Sequence, residues 1–165
     1  MPPSHPHRDT ARVILASPDD RVLLFRHLLP VPWAREGWLT PGGGIEPGEV
    51  PARAAARELA EETGHVVPAT RIGPAVAVDS GQWQDTSGTT ITTTNWYFFV
   101  RAADRNIDLS GQDDDERRDL IGHRWWTVAE LQTTRDLVFP VGLADLLRRL
   151  LAGHRPHEPV RLPWT

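Results

Sequence analysis

The stretch Gly43-Gly44-Ile45-Glu46-Pro47-Gly48-Glu49-Val50-Pro51-Ala52-Arg53-Ala54-Ala55-Ala56-Arg57-Glu58-Leu59-Ala60-Glu61-Glu62-Thr63-Gly64 decides how this chain is read. Within it Gly43, Glu49, Arg57, Glu58, Glu61, Glu62 and Gly64 stand at set intervals. At ordinary residue usage of about 6–7% per type, chance would give that spacing on the order of once per million chains of this size. A glycine-rich turn leads here into a helix. Pro51 suits the first helical position and Gly64 the left-handed position just past the end. Ala52, Ala55, Ala56, Leu59, Ala60 and Thr63 recur at helical spacing, so a narrow stripe of small residues is expected to lie close against a sheet. Val50 is a poor N-cap, which leaves the helix start unoptimised for stability.

Glu58, Glu61 and Glu62 share the side opposite that stripe, read here as the exposed side of the helix. A solvated acidic face is the ordinary reading of such a pattern. Two costs argue against it. Like charges at these spacings repel by roughly 0.2–0.5 kcal/mol per pair. Glu61 and Glu62 also fall in the last turn, where the helix dipole disfavours anions. A hard divalent cation removes both costs. Arg57 is placed to pair with Glu61 on its own helix or with Glu49 at the loop, holding a ligand carboxylate in place. A glycine carbonyl from the turn of residues 42–44 is a further candidate oxygen ligand.

Working outward, residues 1–10 read as a flexible tail. Residues 11–16 and 21–27 read as neighbouring strands or a hairpin across Ser17-Pro18-Asp19-Asp20, and residues 28–39, with Pro30 and Pro32, read as a loop. Strands are expected over 72–78 and 89–100, the second buried on both faces at Trp96-Tyr97-Phe98-Phe99-Val100. The run 111–116 reads as an acidic loop and 123–127 as a short strand. Thr127-Val128-Ala129-Glu130 predicts a capping box. Leu143, Leu146, Leu147, Leu150 and Leu151 predict a last amphipathic helix closed by Gly153. The expectation is one mixed α/β domain over 11–152, with helices covering a sheet and a tail at 153–165.

At 165 residues the chain is large enough for one self-sufficient core. It has no cysteine, which excludes thiolate nucleophiles, cysteine zinc sites and disulfides. All 18 basic residues are arginine, so lysine acid/base or Schiff-base chemistry is excluded and phosphate contacts fall to arginine, backbone amides and metal. A net charge of −4 gives no global field toward nucleic acid or anionic membrane. With no apolar leader and no membrane-length stretch, the expectation is a soluble cytoplasmic protein, and a homodimer is the general prior for its assembly.

On these residues the segment resembles the signature of the Nudix hydrolases (MutT-like proteins). Trp38-Leu39-Thr40-Pro41-Gly42-Gly43, Glu46-Pro47-Gly48-Glu49 and Arg124-Trp125-Trp126 with Glu130-Leu131 are also similar to that family. His65 departs from it, standing where an aliphatic residue is usual. The resemblance implies a three-layer α/β/α sandwich around a mixed sheet. It also implies Mg²⁺-dependent (or Mn²⁺-dependent) hydrolysis of a nucleoside diphosphate linked to another moiety, an NTP, NDP-sugar or dinucleotide. Carried over by position, Glu58, Glu61, Glu62 and the Gly42 carbonyl would hold metal. Glu61, Glu62, Arg57 and the later-loop carboxylate Glu116 would serve catalysis, with Glu49 and Gly64 as structural support. Arg26, Trp38 and Gly43 are the candidate substrate contacts. A non-catalytic nucleotide sensor on the same fold would be expected to have lost these glutamates, and an isomerase on it would need a cysteine.

Overall fold

The computed structural model describes residues 5–164. Strand β1 (His7–Ala16) and strand β2 (Val22–Val31) meet only near the Ala16–Val22 pair. The main partner of β1 is instead β6 (Thr90–Arg101), which runs parallel to it from His7–Thr92 to Ala16–Arg101. β3 (Ala34–Leu39) folds back antiparallel on β2, and β4 (Gly42–Gly44) pairs with β1. β5 (Ala77–Gln84) lies antiparallel to β6, and β7 (Leu120–Trp126) antiparallel to β2. The short strands β8 (Val138–Phe139) and β9 (Val160–Arg161) join β3 and β5 in parallel. The main path through the sheet is β8-β3-β2-β1-β6-β5-β9.

Alternation along the strands sends side chains to two cores. On one face Ala11, Val13, Leu15, Leu23, Phe25 and Phe98 pack with Ala54, Ala55 and Leu59 of helix α1 (Pro51–Thr63). On the other, Ile14, Val22, Leu24, Tyr97 and Phe99 pack with Leu143, Leu146, Leu147 and Leu150 of helix α5 (Leu143–Leu151). Each such leucine contributes about 1.5–3 kcal/mol by leaving water. The result is the expected α/β/α sandwich around a mixed sheet. Three short helices complete it: α2 (Ala69–Ile72), α3 (Asp114–Asp119) and α4 (Val128–Thr133), the last opened by the Thr127–Glu130 capping box.

Several expectations are corrected. Residues 7–10, read as tail, are the first part of β1, while residues 1–4 lie outside the described part. Residues 28–39, read as loop, form the end of β2 and all of β3, with a register shift between Leu28 and Val31 accommodating Pro30. Residues 72–78 divide between the end of α2 and the start of β5. The acidic run 111–116 leads into α3. The segment 153–165, read as tail, contributes β9, and Leu162 joins the α5-side core. The Trp164 ring lies on Gly81 of β5, where an added Cβ would clash with it. The sheet therefore extends beyond both expected limits of 11 and 152. No helix among the described residues is long and apolar enough to cross a membrane.

Candidate active site

α1 ends as its sequence predicts. Gly64 has φ 77°, and its N–H donates to the Ala60 carbonyl. Val50 makes no side-chain cap. The buried face, however, is turned from the expected one: Ala54, Ala55, Glu58, Leu59, Glu62 and Thr63 are its buried residues. Glu58 and Glu62 are 6% and 7% exposed, so two of the three carboxylates read as an outer face are interior.

The glycine turn makes this possible. Gly43 offers only hydrogen toward Glu58; a Cβ there would sit 2.6 Å from Glu58 Oε1. Gly42 donates its N–H to Glu62 Oε2 at 2.8 Å, which ties the turn to one carboxylate of the helix. Gly43 thus makes room for a carboxylate. Arg57 ties the parts together. It grips Glu49 with two hydrogen bonds of 2.9 Å, donates to Glu58 Oε1 at 2.8 Å and to the Gly44 carbonyl at 3.0 Å. These partners raise the proton affinity of the guanidinium further.

Oxygens of Glu58, Glu62 and Glu116 lie within 4.8 Å of one another. Glu116 arrives from α3, where its other role is in a reciprocal capping box with Asp113. Glu61 stands apart from this trio. It is 44% exposed at the side chain and 3.5 Å from Arg57 Nη1. Burial pushes the Glu62 carboxyl up to about 8 against the pull of the Gly42 amide, and burial also raises Glu58. Glu58 Oε2 has no hydrogen-bond partner among the described residues. Three carboxylates gathered in this way, one with a buried oxygen left unpaired, fit a hard divalent cation. Oxygens facing each other across Mg²⁺ are about 4.2 Å apart, two bonds of roughly 2.1 Å, close to the spread of the cluster.

The expected substrate contacts are placed differently. Arg26 is held by Glu36, and its guanidinium lies 5.9 Å from the Trp38 ring centre. Trp38 is 9% exposed, donates to Asp136 Oδ2 at 3.0 Å and meets Trp126 edge-on at 5.1 Å. Its ring is core, leaving no free face of the kind base stacking uses. The adjoining cavity, lined by Arg26, Glu36, Gly37, Trp38, Asp136 and Leu137, holds about 60 Å³, well below a nucleotide pocket. His65, the departure from the pattern, is half-buried and its Nε2 lies 2.7 Å from the Asn106 carbonyl oxygen. Sequence reasoning missed Arg12, which donates to the Thr40 carbonyl at 3.0 Å beside this site. A charged residue inside an otherwise apolar strand run was the available signal.

The chain belongs to the NUDIX domain family, whose model matches residues 6–149. It is similar to the RNA pyrophosphohydrolase of Sphingopyxis alaskensis, 46% identical over 59 residues, which is 36% of this chain and 35% of that protein. The RNA pyrophosphohydrolase of Caulobacter vibrioides is 48% identical over 62 residues, 36% of this chain and 34% of its own length. The matched part is thus about a third of those curated relatives. Among solved structures, the MutT protein from Methanosarcina mazei Go1 aligns with a TM-score of 0.59 at 19% identity, over 93% of this chain and 99% of that one. The NUDIX domain of Shewanella oneidensis NrtR, complexed with ADP ribose, aligns at 0.62 and 18%, over 90% of each chain. At such identities these two likenesses speak for the fold.

Proposed function

We propose that this protein is a Mg²⁺- or Mn²⁺-dependent hydrolase of the pyrophosphate bond in a nucleoside diphosphate linked to another moiety, acting as a soluble cytoplasmic enzyme on small nucleotides. The observation that carries the reading is the Glu58–Glu62–Glu116 cluster, with Glu58 and Glu62 buried and Glu116 half-buried, an arrangement that stability alone disfavours. Family membership and relatives named for pyrophosphohydrolysis support it.

In this reading Glu58, Glu62 and Glu116 hold the cation. The bound ion supplies charge neutralisation at the diphosphate and makes a water molecule more acidic. Arg57 keeps Glu58 in one rotamer through its hydrogen bond, while Glu49 and the Gly44 carbonyl fix Arg57 in turn. Glu61, open to solvent on the same helix, accepts the proton of the water that attacks phosphorus in line.

The test is a panel of NTPs, NDP-sugars, dinucleoside polyphosphates and 5′-triphosphorylated RNA, with Mg²⁺ or Mn²⁺. Hydrolysis of at least one of the small-nucleotide classes is expected, lost by more than about 100-fold in Glu62→Gln. Glu61→Gln should lose turnover while keeping Mn²⁺ affinity. The reading fails if no compound is cleaved, or if Glu62→Gln cleaves as well as the parent.

A further inference from the structure

We propose that Arg12, with Arg8 beside it on β1, forms a two-guanidinium clamp that holds a phosphate of the substrate against the Glu58–Glu62–Glu116 cluster. The inference rests on the reading of that cluster as a hydrolytic centre. Its basis is placement. β1 and β4 pair with Arg12 opposite Gly42 and Thr10 opposite Gly44. The same glycine run meets Glu62 through the Gly42 amide and Glu58 at Gly43. Arg12 also packs directly on the turn: a Cβ on Gly42 would lie 2.8 Å from Arg12 Cγ. Arg8 precedes it by four residues on the same face of the strand, its Nε 4.0 Å from the Cβ position of Gly44.

The charges of this pair are not balanced within the described chain. Arg57 is held by Glu49 and Glu58, Arg26 by Glu36, Arg124 by Glu130. Among the described residues neither Arg8 nor Arg12 has a carboxylate oxygen within 4.0 Å. Arg12 is half-buried between the fully buried Ala11 and Val13, yet among the described residues its side chain makes one hydrogen bond, to the Thr40 carbonyl. Most of its N–H donors are therefore open. Thr40, the residue that accepts this bond, is 2% exposed, and its hydroxyl has no partner among the described residues. The positive field of Arg12 reaches Glu62, Asp79 and Tyr97, and that of Arg8 reaches Glu58. Two guanidinium groups that repel each other beside a cation-binding cluster are suited to a multiply charged anion. A phosphate matches the planar fork of arginine, and the chain has no lysine to take that place.

The experiment pairs calorimetric binding of inorganic pyrophosphate to metal-free protein with steady-state kinetics on whichever nucleotide the parent cleaves. Arg12→Gln should weaken pyrophosphate binding by at least tenfold and raise KM by a similar factor, with kcat changed less. Arg8→Gln should do the same to a smaller degree, and Arg12→Lys should recover part of the loss. Mn²⁺ affinity within about twofold of the parent in Arg12→Gln shows that the glycine turn and its carboxylates are intact. Unchanged pyrophosphate affinity and KM in Arg12→Gln would overturn the clamp. So would parallel losses of pyrophosphate and Mn²⁺ binding, which would make Arg12 a strut of the turn. If the parent binds pyrophosphate through Arg12 yet cleaves nothing in the panel, the clamp stands and the hydrolase reading falls.

Discussion

Gly43 has no space for a methyl group, because its Cα faces Glu58 Oε1 at a distance where a Cβ would clash. Gly43→Ala should therefore push Glu58 out of the cluster and weaken Mn²⁺ binding by at least tenfold, read by calorimetry, with a folded circular-dichroism spectrum retained. Arg57 acts one step further out, and Arg57→Gln is expected to cost 10–100-fold in metal affinity, roughly the usual effect of losing a ligand's hydrogen-bond partner. Glu62 sets a pH dependence. Its carboxyl is raised to about 8, above the ordinary 4.5, so between these values the folded metal-free protein keeps a proton that the unfolded chain releases. Stability from this group is thus greatest at low pH and falls as pH climbs from about 4.5 to about 8. Without metal, the melting temperature of Glu62→Gln should gain on that of the parent across that window. A constant difference between the two would contradict the assignment.

At the scale of elements, α1 shows which sequence signals carry over. Pro51 and Gly64 act through backbone geometry alone, so both ends of the helix could be read from residue type. Its rotation could not. Whether Glu58 and Glu62 face solvent depends on the glycine turn lying across them, a contact made by segments up to 20 residues apart. Pro30 misled for a similar reason: as a breaker it suggests a loop, but a register shift lets β2 continue past it to Val31, and only Pro32 and Trp33 form the turn into β3. Glu61 and Glu49 were both legible as partners of Arg57 because charge and spacing suffice, and Arg57 lies near both, whereas Arg12 needed the pairing of β1 with β4. Two substitutions test helix ends. Val50 is 59% exposed and uncapped, so Val50→Asp should stabilise the protein by about 1 kcal/mol in denaturant unfolding and leave activity alone. Asp113→Ala should do the opposite, freeing α3 and with it Glu116. It is expected to lower Mn²⁺ affinity although Asp113 is outside the carboxylate trio.

Across the whole molecule, the cluster joins parts of the chain that are far apart in sequence. Glu58 and Glu62 come from α1 under one face of the sheet, and Glu116 comes from α3, which approaches β2. A cation there would link α1 to α3 and stabilise the folded state by mass action. At a hundredfold excess over its Kd the gain is about 2.7 kcal/mol, so the melting temperature should rise by roughly 5–10 °C with saturating Mn²⁺. The same addition to Glu58→Gln/Glu62→Gln should produce little or no rise. The layered fold itself was legible because two apolar periodicities, small residues on α1 and leucines on α5, each require a sheet face to cover.

The two-residue strand β9 and the indole of Trp164 have a consequence for solubility. Along the main path of the sheet, β5 has β6 on one side and only Val160–Arg161 on the other. The segment 160–162 donates to the carbonyls of Val76 and Val78 at one end of a strand that would otherwise be open to another chain, and Trp164 covers the flat backbone at Gly81. Deleting residues 160–165 leaves every carboxylate of the cluster in place, yet it turns β5 into a bare sheet border. The shortened protein should keep its Mn²⁺ site and self-associate through that border, seen as concentration-dependent growth in light scattering where the parent shows none.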